Sequence, residues 1–239
     1  MIGDVPSDGF VRFLKGVRLF PGAREWPYAV ENSDRIAAHW QERHAQTPQM
    51  WDGRMLLAHG LEFRDGHVHG QLMEVNYSAY LFWRENGYGD RSVFNIFGSA
   101  LVLSADGAAM VGVMGKTTSW PGHQYPPGGS LERGDAGPDG HIDVSACLRR
   151  ELFEETGLRA DGLEEGDLLV AGAGQSVAVV QVFHSPQTAG ELLQQVSRWI
   201  GKQAEPELEA VRFVRRFSEM ENVPSEPWAQ KLLQFVLPR

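Results

Sequence analysis

The sequence predicts an α/β protein with an N-terminal α+β extension, and three observations carry that expectation. From about residue 92 onward, strand-like and helix-like segments interleave in α/β order. Before that point, short strand-like runs and a hairpin stand beside two helical stretches. An abrupt change in composition, Gly87-Tyr88-Gly89-Asp90, lies between the two patterns. The expected division is 1–91 for the extension and 92–239 for the core.

Each element has a local cause. Val11–Leu19 reads as one strand, ended by Pro21-Gly22. Asn32 or Ser33 can cap a helix starting near Asp34, with Ile36, Ala37 and Trp40 on one stripe and Thr47-Pro48 beyond its end. Leu56–Phe63 and Val68–Val75 flank Asp65-Gly66, a hairpin turn signal, and a second helix around Ser78–Glu85 ends at Asn86-Gly87. Ser92–Ser104 and Ala108–Gly115 read as a further hairpin around Ala105-Asp106-Gly107. A loop rich in Pro, Gly and aromatics fills Lys116 to Gly128. Asp143–Thr156 is then expected as a helix closed by Gly157. Leu168–Ala171, Ser176–Phe183 and Leu208–Val214 read as strands, and Thr188–Lys202 and Trp228–Val236 as helices. No internal repeat and no low-complexity tract interrupts the order.

Composition narrows the function classes. The 239 residues are 42% hydrophobic and 22% charged, values of an ordinary globular protein. No stretch approaches the roughly 20 apolar residues of a membrane-spanning helix. Met1-Ile2-Gly3-Asp4-Val5-Pro6 has neither the basic nor the apolar region of a secretory signal, and the single Cys147 forbids an internal disulfide framework, so a cytoplasmic location is expected. With 31 acidic against 22 basic residues, the net charge of −9 disfavours nucleic acid as a partner. The same carboxylates could recruit Mg²⁺ or Mn²⁺ and, through it, a phosphorylated ligand.

Arg150-Glu151-Leu152-Phe153-Glu154-Glu155-Thr156-Gly157-Leu158 is the most informative segment. Glu151, Glu154 and Glu155 stand at i, i+3 and i+4, and so share one helix face within about 100° of arc. Val144, Cys147 and Leu148 fall on nearly the same arc, so this face also packs. Like charges held there repel, which calls for compensation by Arg150 and by a divalent cation. An acidic solvated face is the plainer alternative for three glutamates taken alone. The whole string decides otherwise, since its chance occurrence in a chain this long is on the order of one in ten thousand.

That string resembles the second half of the Nudix box. Pro127-Gly128-Gly129-Ser130-Leu131-Glu132 resembles its entry, but the first half is altered. Asp135 stands where the box has Glu, and 14 residues separate it from Arg150 instead of seven. The surplus around Ala136–Ile142 is turn-rich and reads as an insertion between Gly129 and Arg150, with Asp143 capping the helix behind it. The likeness covers roughly 92–239 and is sharp over 127–158.

The resemblance implies a Nudix-type α/β/α sandwich around a mixed sheet. It implies Mg²⁺ (or Mn²⁺) held by Glu151, Glu154, Glu155 and the Gly128 carbonyl, with Arg150 bracing the acidic cluster. Catalysis is expected of Glu151, Glu155, Arg150 and Glu209. The general base is left between Glu151 and the acids Glu207 and Glu209 ahead of the last strand. The implied reaction is metal-dependent cleavage of a nucleoside diphosphate linked to another moiety, with a nucleotide sugar or ADP-ribose-like substrate favoured. The alternatives are a non-catalytic nucleotide sensor or interaction module and a triphosphate-sanitising hydrolase; dimers are common in the family, so a homodimer is admitted.

Weaker signals flank this core. Gly115-Lys116-Thr117 fails as a phosphate loop because Met110 stands where glycine is required, although Lys116 at a strand end is a candidate phosphate contact. Trp120 and Tyr125 are candidates for stacking on base or sugar. His67 and His69 read as a solvated hairpin and not a metal pair. Cys147, between Ala146 and Leu148, reads as buried packing.

Overall fold

Strand β5 (Val93–Leu103) organises the molecule, whose structure is a computed structural model describing residues 8–238. The reading of Met1–Pro6 lies outside the described residues. Preceding β5 are β1 (Phe10–Phe13), β2 (Gly16–Pro21), α1 (Pro27–Glu31), α2 (Ser33–Gln46), β3 (Arg54–Arg64), β4 (His67–Asn76) and α3 (Tyr77–Glu85). After it come β6 (Ala109–Met114), β7 (Gln124–Tyr125), β8 (Gly128–Ser130), α4 (Val144–Thr156), β9 (Glu164–Ala173) and β10 (Ser176–His184). The chain continues through α5 (Ala189–Ile200), β11 (Leu208–Val214) and α6 (Pro227–Val236).

The strands form one mixed sheet whose main path runs β1-β9-β10-β5-β3-β4-β2. One edge of β5 pairs in parallel with β10 along Asn95–Leu103. The other edge is shared by β3 at Val93-Phe94, β8 at Phe97–Ser99 and β6 at Leu103 alone. That crowding corrects the expected hairpin of residues 92–115. With β8 already on β5, β6 keeps one paired residue there and turns away to pair with β7 and β11.

Period-2 alternation places the helices. Ala100 and Val102 of β5, Val170 of β9 and Val177 and Val179 of β10 pack in one core with Leu148 and Leu152 of α4 and Leu192 and Val196 of α5. Their neighbours Leu101, Leu169, Ala171, Ala178 and Val180 face the opposite way, against Trp228, Ala229, Leu232 and Leu233 of α6. The sheet is therefore sandwiched between α4–α5 and α6, the α/β/α arrangement expected. On β3 the same alternation sends Leu56 and Ala58 into the first core and Met55 and Leu57 into a third, with Trp26, Tyr80, Phe82 and Trp83.

The expected single strand over residues 11–19 is two strands. Leu14 N–H donates to Leu168 O and Lys15 N–H to Gly66 O, so the chain changes partner at this dipeptide. β1 then lies antiparallel on β9, and β2 parallel on β4. Apolar periodicity alone could not see a change of partner within a continuous apolar run. The turn at Asp65 (φ 53°) and Gly66 (φ 80°) has both residues left-handed, as a type I′ hairpin requires. Asn32 precedes α2 but does not cap it through its side chain: its Oδ1 accepts from the Arg35 guanidinium at 2.7 Å, and its amide nitrogen donates back to Tyr28 O of α1. Among the described residues, no helix is long and apolar enough to cross a membrane.

Candidate active site

Helix α4 starts and stops where its sequence dictates. The Asp143 carboxylate accepts the Ala146 N–H at 2.9 Å, and Gly157 closes the helix at φ 70°. A side chain at Gly157 would also meet the Trp199 ring of α5. Trp199 Nε1 and Gln203 Nε2 donate to the Glu154 carbonyl at 3.0 and 2.7 Å, satisfying an acceptor that a helix end leaves open. Val144, Cys147, Leu148 and Leu152 anchor the buried face.

The three box glutamates meet three environments. Glu155 is 6% exposed, and burial pushes its carboxyl well above the ordinary range, with Glu207 and Glu151 adding repulsion and a Gly128 backbone hydrogen bond opposing. Glu151 is half-buried and pushed up to about 7, first by burial, against the attraction of Arg150 and with repulsion from Glu154 and Glu207. Glu154 is exposed. The Glu151 carboxylate lies directly over Gly129, where an added methyl would stand only 2.6 Å from Oε2. Any side chain at 129 would displace it, which is a local reason for glycine at this position.

Arg150 ties the cluster together, reaching Glu151 at 2.7 Å, Glu154 at 3.2 Å and Asp135 at 3.6 Å. Asp135 also accepts the Glu132 N–H at 2.8 Å, ordering the chain after β8. The insertion that follows is ordered too. Ala136 and Ile142 form an isolated bridge, Ile142 N–H donates to Leu19 O of β2, and the His141 ring packs at a tilt against Phe20 with centroids 4.0 Å apart. The extra residues thus fasten the box to the N-terminal extension.

A cleft of about 510 Å³ opens beside this cluster. Of the residues singled out from sequence, Gly128, Glu151, Glu207, Trp120 and Tyr125 line it. Glu155 lies buried behind Gly128, and Arg150 and Glu154 sit at the cluster's solvent side. Two predicted residues stand elsewhere. Lys116 is exposed outside the lining, and Glu209 is the exposed residue of a bulge where β11 slips against β6 between Leu208 and Ala210. Glu207 projects into the cleft mouth, where it remains water-accessible, yet surrounding protein and Glu154 raise its pKa. Cys147 is buried with its thiol pushed up by burial, as packing requires, and His67 and His69 lie on β4, away from the cleft.

The N-terminal extension supplies a wall that sequence reasoning missed: Trp51, Tyr77, Tyr80 and Arg84, with Asn95, Glu226 and Trp228 from the core. The stripe Tyr77-Tyr80-Arg84 at i, i+3, i+7 was the available signal, but it reads equally as core packing. A larger cavity of about 710 Å³ lies between α1–α2 and β3–β4. It contains none of the α4 carboxylates, so the smaller one is the candidate site.

These residues fit a hard divalent cation in donor type and charge. Burial raises the carboxyls of Glu151, Glu155 and Glu207, and repulsion within the cluster, to which Glu154 contributes, raises them further, a repulsion that a cation would relieve. They are not preassembled: no three acidic, His or Cys groups converge into a metal-ligating cluster among the described residues. Releasing the exposed Glu154 from Arg150 costs about 0–1 kcal/mol, a small barrier to convergence.

A family model for the NUDIX domain matches residues 98–235. Among solved structures, DR0079 from Deinococcus radiodurans aligns over 77% of this chain and 99% of its own, with 13% identity and a TM-score of 0.46. A Nudix hydrolase from M. smegmatis, RenU, aligns over 59% and 80%, with 14% identity and a TM-score of 0.39. The NUDIX domain of Shewanella oneidensis NrtR, solved with ADP ribose, aligns over 59% and 84%, with 14% identity and a TM-score of 0.41. A search of curated proteins finds no match.

Proposed function

This chain belongs to the NUDIX domain family, and from that membership we propose that it is a metal-dependent pyrophosphohydrolase cleaving a nucleoside diphosphate linked to a second moiety. The observation that carries the reading is the set of mutually repelling carboxylates on α4 and at Glu207, gathered at the wall of a cleft of nucleotide size.

Glu151, Glu154 and Glu155 would hold Mg²⁺ or Mn²⁺, with the Gly128 main chain completing the set. A bound divalent ion supplies charge neutralisation for the diphosphate and lowers the pKa of an attacking water. Arg150 keeps Glu151 and Glu154 oriented through its ion pairs, and Gly129 leaves the Glu151 carboxylate its room. Glu207 would accept the water proton, a reading supported by its place in the cleft lining, where Glu209 is absent. A nucleotide sugar or ADP-ribose-like substrate is favoured, because the cleft offers aromatic walls (Trp51, Tyr77, Tyr125) beside the carboxylate end.

The test is incubation of the protein with Mg²⁺ or Mn²⁺ and a panel of nucleotide sugars, ADP-ribose, dinucleotides, nucleoside triphosphates and coenzyme A. Metal-dependent release of a nucleoside monophosphate is expected from the diphosphate-linked members. No cleavage across the panel with either metal overturns the reading.

A further inference from the structure

The cleft carries an excess of negative charge: Glu132, Glu151, Glu205, Glu207 and Glu226 line it, against one Arg or Lys, Arg84, among the described residues. Arg84 comes from α3, in the segment before the matched NUDIX domain. It is 9% exposed, and its Nε is a buried donor with no partner. The other contacts are thin. One terminal nitrogen reaches Ser119 Oγ at 3.4 Å, and the other reaches Glu85 at 3.6 Å. Glu85 is itself engaged by His39 at 2.8 Å and Arg43 at 3.5 Å. Tyr80 adds a side-chain hydrogen bond, and Glu226, which lines the same cleft and has His123 at 3.7 Å, stays outside ion-pair distance of Arg84.

The guanidinium is held in place by packing. It lies 4.6 Å from the Trp120 ring centroid and 5.3 Å from that of Tyr80. Tyr80 OH in turn accepts from the Asn95 amide at 3.2 Å, and the other end of that amide is also buried without a partner. A buried cation with unused donors costs free energy unless an anion completes its shell. Arg84 lines the same cleft as Glu151 and Glu207, so the cation and the carboxylate cluster share one chamber.

We propose that Arg84 is a substrate-binding residue, an anchor that the N-terminal extension contributes for a phosphoryl oxygen of the diphosphate. The identification of its anion as a diphosphate rests on the hydrolase reading above. The two ends of the cleft then divide the work. The α4 carboxylates engage the diphosphate through a metal, while Arg84 holds it directly, with Trp120 and Tyr80 keeping the guanidinium plane fixed. Trp120 is in this arrangement a support for Arg84 and not the free stacking face expected from sequence. The core alone would lack this anchor.

Binding of inorganic pyrophosphate in EDTA, followed by titration calorimetry, isolates this contact from the metal. The wild-type protein should bind it, and Arg84→Gln should weaken that binding about 10-fold or more, as for a lost charge-assisted hydrogen bond. Arg84→Lys should fall between the two. With a turned-over substrate, Arg84→Gln should raise KM more than it lowers kcat. Glu226→Gln, which removes a carboxylate from the cleft that Arg84 lines, should tighten pyrophosphate binding and stands in if Arg84→Gln shows no cooperative melting. Wild-type protein that does not bind pyrophosphate, Arg84→Gln that binds it as wild type does, or Glu226→Gln with unchanged affinity, each overturns the proposal. Arg84-dependent pyrophosphate binding without turnover of any panel member would sink the hydrolase reading and leave this one standing.

Discussion

Replacing Glu151 with Gln should make the metal-free protein more stable at alkaline pH, by an amount that depends on pH. Burial raises the Glu151 carboxyl from an ordinary 4.5 to about 7. The folded state therefore keeps a proton that the unfolded chain releases, and stability falls as pH climbs from 4.5 toward 7. At 1.36 kcal/mol per pH unit the full loss is about 3 kcal/mol, of which about 2.5 kcal/mol falls between pH 5 and 8. For a chain of 239 residues this corresponds to roughly 5 °C in Tm. Gln retains the shape and can still accept from Arg150, but carries no charge to bury. Thermal melts of both proteins in EDTA should therefore nearly coincide at pH 5. By pH 8 they should separate by about 5 °C in favour of Glu151→Gln. Melting curves that stay parallel from pH 5 to pH 8 would refute the idea that Glu151 ionises at a desolvation cost.

Three further outcomes follow from the same geometry. Glu155→Gln, at the most buried of the four carboxylates, should lower kcat by about 100-fold or more at saturating Mg²⁺ while the metal-free protein melts no earlier than wild type. Glu207→Gln should lower kcat about 10-fold or more and remove an acidic limb from the rate–pH profile; Glu209→Gln, on its exposed bulge, should stay within about 2-fold. Equal effects of the two would remove Glu207 from the base role. Asp143→Ala deletes the cap of α4 and should cost about 1 kcal/mol, roughly 2 °C in Tm by calorimetry.

The sequence disclosed what is local in the chain. The span of α4 was legible because Asp143 and Gly157 are chemically suited to its two ends, and the Asp65-Gly66 turn because it needs left-handed backbone. The carboxylates were legible from i, i+3, i+4 spacing. Pairing partners were not. Leu14-Lys15 divides a run that periodicity shows as continuous, and β8 displaces β6 from β5 although turn chemistry suits a hairpin there. In the cleft, Glu207 and Glu209 are indistinguishable as letters, and a bulge separates them. Arg84 was invisible for a related reason: its partners Ser119 and Trp120 lie 35 and 36 positions away, and only the folded chain puts helix α3 beside the loop that bears them.

The antiparallel ladder of β1 on β9 pairs Phe10 with Gly172. On a ribosome, the first described strand therefore waits for about 160 residues of further synthesis before its partner exists. Contacts of that sequence separation slow folding. Until they form, β1 is an unpaired edge bearing Phe10 and Phe13, the kind of segment that draws intermolecular pairing. Refolding yield should thus depend more steeply on protein concentration than the native fold, with β1 in its place, would suggest.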